Sequence, residues 1–178
     1  GGWIIFSTVM NKFHFAEDLE GGTKRYRKLV RISAGFIVFF GLSTSISAWD
    51  WLLSIDTHWF STMYGWYVFA SWFVAGLAMM TFIATVLKDA GYLKLINENH
   101  LHDMGKFLFA FSIFWTYIWL SQFLLIYYAN IPEEGVYFLE RLQSEHYRKF
   151  LFVNLFLNFA FPFLALMTRD AKRKMAIL

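Results

Sequence analysis

Four stretches of this sequence, 32–53, 59–87, 104–128 and 150–168, are apolar for long enough to cross a lipid bilayer. A transmembrane helix needs about 20 such residues. Inside a bilayer no water satisfies the backbone, so spanning segments must be helices or closed barrels. As a helix rising ~1.5 Å per residue, 59–87 would run roughly 43 Å and must tilt or emerge from the hydrocarbon. Each stretch is apolar around its whole circumference, whereas the helices of a soluble bundle carry polar outer faces. The expected fold class is therefore an all-α integral membrane protein. Its 32–168 region would hold four transmembrane helices in a bundle. Composition agrees: 58% of residues are hydrophobic, 22% aromatic and 16% charged, against roughly 25% charged in soluble domains. Disorder is excluded by the aromatic content. The absence of Cys excludes a disulfide scaffold, a thiolate zinc site, an iron–sulfur cluster held on Cys and covalently attached haem c.

The flanks set the topology. Residues 1–10 read as the end of a preceding span, a helix stub, and 11–31 as a basic loop. The tail 169–178 is basic again. With 11–31, the loop near 88–103 and the tail on one side, that side holds 13 of the 16 Lys and Arg residues. The positive-inside rule then makes it cytoplasmic. The basic pI reflects insertion and anionic headgroups, so no nucleic-acid partner is expected. The opposite side is acidic, and Trp49, Trp51, Trp59, Trp66, Tyr67, Tyr127 and Tyr128 crowd its boundary as an aromatic belt. The first two spans form a tight hairpin through 54–58. Asn130-Ile131-Pro132-Glu133-Glu134 reads as a helix start, with Pro in the first turn and acids at the positive end of the dipole. It predicts a short interfacial helix over 132–147.

Polar side chains inside or beside the spans are the candidate site residues. Asp50, at the end of the first span, follows Ser43 and Ser47 at helical spacing, so the three would share one face. Such a stripe can line a proton path. Equally, the Ser residues can allow close packing while Asp50 sits in headgroup water. Asp56 and His58 pair an acid with a group titrating near neutrality, or serve as a turn and a cap for the second span. His102, Asp103 and Lys106, next to His100, form a like cluster at the start of the third span. There Asp103 can instead cap the helix and Lys106 snorkel. Within the spans, Gln122, Asn154 and Asn158 are candidates for interhelical hydrogen bonds or for ligand binding. Pro162 should kink the fourth span. No His lies deep in a span, as an axial ligand for transmembrane haem b would. The sequence has neither a phosphate-binding G-x-x-x-x-G-K-[ST] loop nor an H-E-x-x-H pair. No catalytic set and no metal ligands are expected.

Several ordered blocks resemble an integral membrane subunit of bacterial alternative complex III, the second of its two quinone-associated membrane subunits. They are 50–65 (DWLLSIDTHWFSTMYG), 102–111 (HDMGKFLFAF) and, most specific, 121–134 (SQFLLIYYANIPEE). The ending from 161–163 (FPF) through 169–173 (RDAKR) is also similar, so the resemblance covers roughly 40–174. That membrane subunit is similar to polysulfide-reductase-type membrane anchors, built as two four-helix bundles, of which this chain would be the second. The resemblance implies a subunit, without its own redox metal, of a complex that oxidises quinol and passes electrons to cytochrome c or a terminal oxidase. Haem c and iron–sulfur clusters are then expected on partner subunits, and a quinone is the one cofactor this chain would touch, with Gln122, Asn154 and Asn158 as its candidate contacts. Partners would be the sister membrane subunit, other subunits of the complex, quinol and phospholipids. The location implied is the bacterial cytoplasmic (inner) membrane, with 54–58 and 129–149 periplasmic. Asp50, Asp56 and His58 would form a periplasmic proton group, and His102, Asp103 and Lys106 a cytoplasmic one. The rival expectations are a purely structural, lipid-contacting scaffold subunit and an independent ion transporter. The latter would want broken helices or paired charges near the midplane.

Overall fold

The computed structural model describes residues 1–20, 23–168 and 172, except the side chains of 20, 23 and 24. The protein is all-α: about 87% is helical, and no strand occurs among the described residues. Four helical runs are long and apolar enough to cross a membrane: Arg25–Ile55, Thr62–Asp89, Glu98–Ala129 and Glu145–Ala165. The chain is a multi-pass membrane protein. Its long apolar side chains are mostly exposed on the helix surfaces, where lipid rather than water is the fitting solvent. The chain divides into two compact units, Gly1–Ser47 and Ala48–Leu178.

The first unit pairs α1 (Gly2–Glu20) with α2 (Thr23–Ser47). Contacts run in antiparallel order: Trp3 Nε1 donates to Ser43 Oγ at 2.7 Å, Phe6 lies 5.3 Å from both Phe36 and Phe39, and Ser33 Oγ donates to Met10 Sδ at 3.6 Å. Gly2 sits where a Cβ would overlap the Phe39 ring. This corrects the expected stub and loop. Helix α1 continues past residue 10 to Glu20, and 23–31 is already α2. Charge had marked 11–31 as aqueous, but Lys, Arg and Glu are good helix formers and a helix continues readily into water.

In the second unit a π-helical segment, Ala48–Leu52, and a 3-10 turn, Leu53–Ile55, close the first membrane run. Helix α3 is Thr62–Asp89, α4 is Glu98–Ala129, α5 is Pro132–Gln143 and α6 is Glu145–Leu155. A second π segment, Phe156–Ala160, leads into α7, Phe161–Ala165. Helices α3 and α4 form an antiparallel pair, closed by small residues at the interface: Gly65, Ala70, Gly105 and Ser112 are all buried. Trp115 fills the space above Ala70 and Val74, and its Nε1 donates to Ser71 Oγ at 2.7 Å. Buried Thr81 and Ser112 donate back to Leu77 O and Leu108 O, so neither is orphaned.

Span boundaries move from those expected. Helix α4 starts at Glu98, not 104, because Asn97 accepts from Asn99 N and His100 N while His100 Nδ1 accepts from Asn97 N. This reciprocal cap satisfies amide donors that water would otherwise have to serve. Helix α3 starts at Thr62, not at 59. The surface helix expected over 132–147 ends at Gln143, where Ser144 turns to extended backbone, so Tyr147 belongs to α6. At its other end, Asn130 ends α4 in the left-handed region (φ 49°), which Asn tolerates better than most residues. Ile131 is extended, as a residue before proline tends to be, and Pro132 takes the first turn of α5. In the fourth span the π segment directly precedes Pro162, so widened winding accommodates the amide that proline lacks. The tail expected over 169–178 lies outside the described residues, apart from Lys172, whose ammonium lies 4.9 Å from the Phe109 ring centroid.

Candidate functional site

The polar and aromatic side chains of the second unit converge where α3 begins, α4 ends and α5 crosses them. Trp59, expected in the lipid-facing belt, is buried instead and anchors this corner. Its Nε1 donates to the Glu134 carbonyl at 3.0 Å, its ring stacks on Tyr137 at 4.2 Å, and Tyr64 meets it edge-on. Phe138, also buried, packs with Trp59 and Ile126, and Trp119 and Phe123 approach it edge-on. The belt keeps Trp51, Trp66, Tyr127 and Tyr128, all exposed. Trp59 differs because its N–H reaches the Glu134 carbonyl in the first turn of α5, a long-range pairing that local sequence does not announce.

A cavity of about 170 Å³ opens beside this cluster, lined by Tyr67, Trp115, Trp119, Tyr137, Arg141 and Asn154 among others. Arg141 bends back over its own helix. Its Nη1 donates to Tyr137 O at 2.7 Å and its guanidinium carbon lies 3.4 Å from the centre of the Tyr137 ring. That is cation–π geometry. Burial pushes the Tyr137 phenol up to about 12, against the opposing pull of the Arg141 charge. Ser71 Oγ donates to Tyr67 O at 2.9 Å, and the Tyr67 and Asn154 side chains line the same cavity. A neutral phenol, an amide and one fixed cation can bind a polar head inside an aromatic wall. They do not form a general acid–base pair working near neutral pH.

A second cavity, about 200 Å³, includes Ser61, Thr62, Met63, Gln122 and Glu134 in its lining. Gln122 is 3% exposed, and its Nε2 has no hydrogen-bond partner among the described residues. A wider apolar groove of about 670 Å³ shares Met63 and Leu125 with this cavity and continues along Tyr117, Leu124 and Tyr128.

The expected site residues fall into three groups. Asn154 lines the first cavity and Gln122 the second. Asn158 lies outside both linings and donates to Asn154 O at 3.0 Å and to Asn154 Oδ1 within its own helix. Of the proposed stripe, Ser43 and Ser47 belong to α2 in the first unit and Asp50 to the π segment of the second. Ser43 is taken by Trp3 and Phe40 O, and Asp50 is exposed. Asp56 accepts from His58 N at 3.3 Å, which makes a turn. The cap position of α3 is Ser61, so Asp56 does not cap the second span. At the far end of α4, Asp103 pairs with Lys106 at 2.7 Å and lies 3.9 Å from His102. Asp103 is inside the helix rather than its cap, because Asn97 already holds that position. No three His, Asp or Glu residues gather as a metal site among the described residues. Sequence reasoning missed Tyr137 and Arg141. Their four-residue spacing on a predicted helix was the available signal. No protein-family model matches the chain, and no curated protein does.

Proposed function

We propose that this chain is a membrane subunit of a respiratory quinol:electron acceptor oxidoreductase of the alternative complex III type, without a redox metal of its own. The observation that carries the reading is the block 121–134. Its residues make the end of α4, the left-handed Asn130 and the start of α5, and they supply Gln122 and Glu134 to one cavity. Gln122 is buried and Glu134 half-buried, so the most specific block falls on a polar corner of the fold and not on lipid-facing surface alone. On this reading the chain lies in the bacterial inner membrane with its basic segments cytoplasmic, and electrons pass through partner subunits. The aromatic cavity at Tyr67, Tyr137 and Asn154 is the place where a quinol head would meet this subunit. The test is purification of the tagged protein from its native membranes in mild detergent. The expected result is co-purification with haem c and iron–sulfur subunits and with quinol oxidation. A protein that runs alone, with no redox partner under several detergents, sinks the reading.

A scaffold role within the same complex is favoured by one specific observation. Asp50, Asp56 and His58 are all exposed, and Asp56 is engaged in a local turn. Replacing Asp50 by Asn and measuring proton release during quinol oxidation separates the two roles. Unchanged release with intact assembly assigns this end to structure. A drop with intact assembly restores it to a proton path.

A further inference from the structure

We propose that the cavity at Gln122, continued by the apolar groove along α4, binds one zwitterionic, amine-headed phospholipid of the phosphatidylethanolamine class. The inference does not rest on membership of a respiratory complex. Three features of the protein meet there. Gln122 Nε2 is a buried amide donor with no partner among the described residues, and leaving it unmatched costs more than a typical hydrogen bond returns. Beside it α3 begins at Thr62, with Ser61 in the cap position making no side-chain bond to the first amides. Tyr64 N donates to Ser61 O at 3.3 Å, which leaves the Thr62 and Met63 amides as the orphan donors at the positive end of the helix dipole, where an anionic oxygen is favoured. Glu134, half-buried, borders the same cavity and adds negative charge.

Donors of two kinds call for an acceptor-rich phosphate, and the carboxylate calls for a cation beside it. An amine-headed phospholipid carries both within one headgroup. A purely anionic headgroup would set its charge against Glu134, and a quinone offers that carboxylate no cation. The groove supplies the remaining part of the molecule, since it shares Met63 and Leu125 with the cavity and runs on over apolar side chains, as an acyl chain requires. Depth agrees too: Trp66, Tyr127 and Tyr128 at this end of α3 and α4 are exposed as interfacial aromatics.

The experiment is native mass spectrometry of the full chain, in the assembly purified from its membranes, after delipidation and back-titration. The probes are phosphatidylethanolamine, phosphatidylglycerol and a short-chain quinone. The expected result is one tightly retained phosphatidylethanolamine per chain. Gln122→Leu should weaken it roughly tenfold. Thr62→Pro, tolerated at a first helical position while removing one donor, should also weaken it. Glu134→Gln should reduce the preference over phosphatidylglycerol. The proposal is overturned if Gln122→Leu and Thr62→Pro, both folded by circular dichroism, retain the lipid as the parent does. Equal binding of both lipids by the parent also overturns it, as does displacement of the bound lipid by the quinone.

Discussion

The two ends of the α3–α4 pair are built from different chemistry. At the Thr62 and Ala129 end, two indoles are buried and bonded to residues far away in sequence: Trp59 to Glu134 and Trp115 to Ser71. At the Asp89 and Glu98 end, the charged residues are solvent-facing and bonded within a few positions of themselves: Asn97 with His100, Asp103 with Lys106. Long-range bonds in a low-dielectric corner fix geometry, whereas short-range bonds at an exposed helix start fix only that start. A site that discriminates between ligands therefore belongs to the aromatic end. The His102 cluster, chemically richer on paper, is a helix entry into water.

That contrast can be broken most forcefully at Trp59. Trp59→Ala should cost about 3–5 kcal/mol, read as a lower unfolding temperature in detergent and faster proteolysis at α5. Trp59→Phe should cost only the hydrogen bond, about 1 kcal/mol. Equal effects would mean that the indole N–H, and not the packing, holds α5.

The next effect is a pH dependence confined to the same end. The folded protein holds the Tyr137 proton more tightly than the unfolded chain, about 12 against an ordinary 10.0. Its contribution is complete below pH 10 and is lost as pH rises through about 12. The amount is roughly 2–3 kcal/mol by linkage. Phenolate absorbance should show a late-titrating component that Tyr137→Phe diminishes. An unaltered late component, with absorbance lost near pH 10 instead, would place Tyr137 in contact with water.

At the charged end the effects shrink. Asn97→Ala should cost about 1 kcal/mol and fray the first turn of α4, seen as faster amide exchange over 98–101 with α5 unaffected. Asp103→Asn should leave thermal stability unchanged at any salt concentration, because the pair it breaks with Lys106 is solvent-exposed. A clear loss there would show that this end carries structure after all.

The fold class was legible because apolar length is a one-dimensional signal: four stretches of sufficient run can do little else in a bilayer. Helix α5 was legible at its start, since Asn130, Pro132 and the two acids each act locally. Its end was not, because Ser144 breaks the helix without Gly or Pro. The starts of α3 and α4 were misplaced for opposite reasons. Helix α4 runs further than its apolar stretch, carried by the Asn97 cap, whereas Trp59 looked like helix by hydropathy and lies in the connection before α3 instead. Of the candidate site residues, Gln122 and Asn154 fell on cavities because an amide inside an apolar span has to find a partner or a ligand. The acid and His candidates were chosen for titration chemistry, which sequence shows without showing exposure.

The latch between Trp59 and α5 closes on the carbonyl of Glu134, not on its carboxylate. Residue 134 therefore does two jobs through separable parts. Its main chain, common to every amino acid, holds the architecture, while its side chain faces whatever occupies the neighbouring cavity. Mutation can rewrite the charge at that position, and with it the choice of guest, without loosening the corner that makes a guest site at all. Drift in lipid or ligand preference among descendants of such a protein would then run through position 134 far more freely than through Trp59.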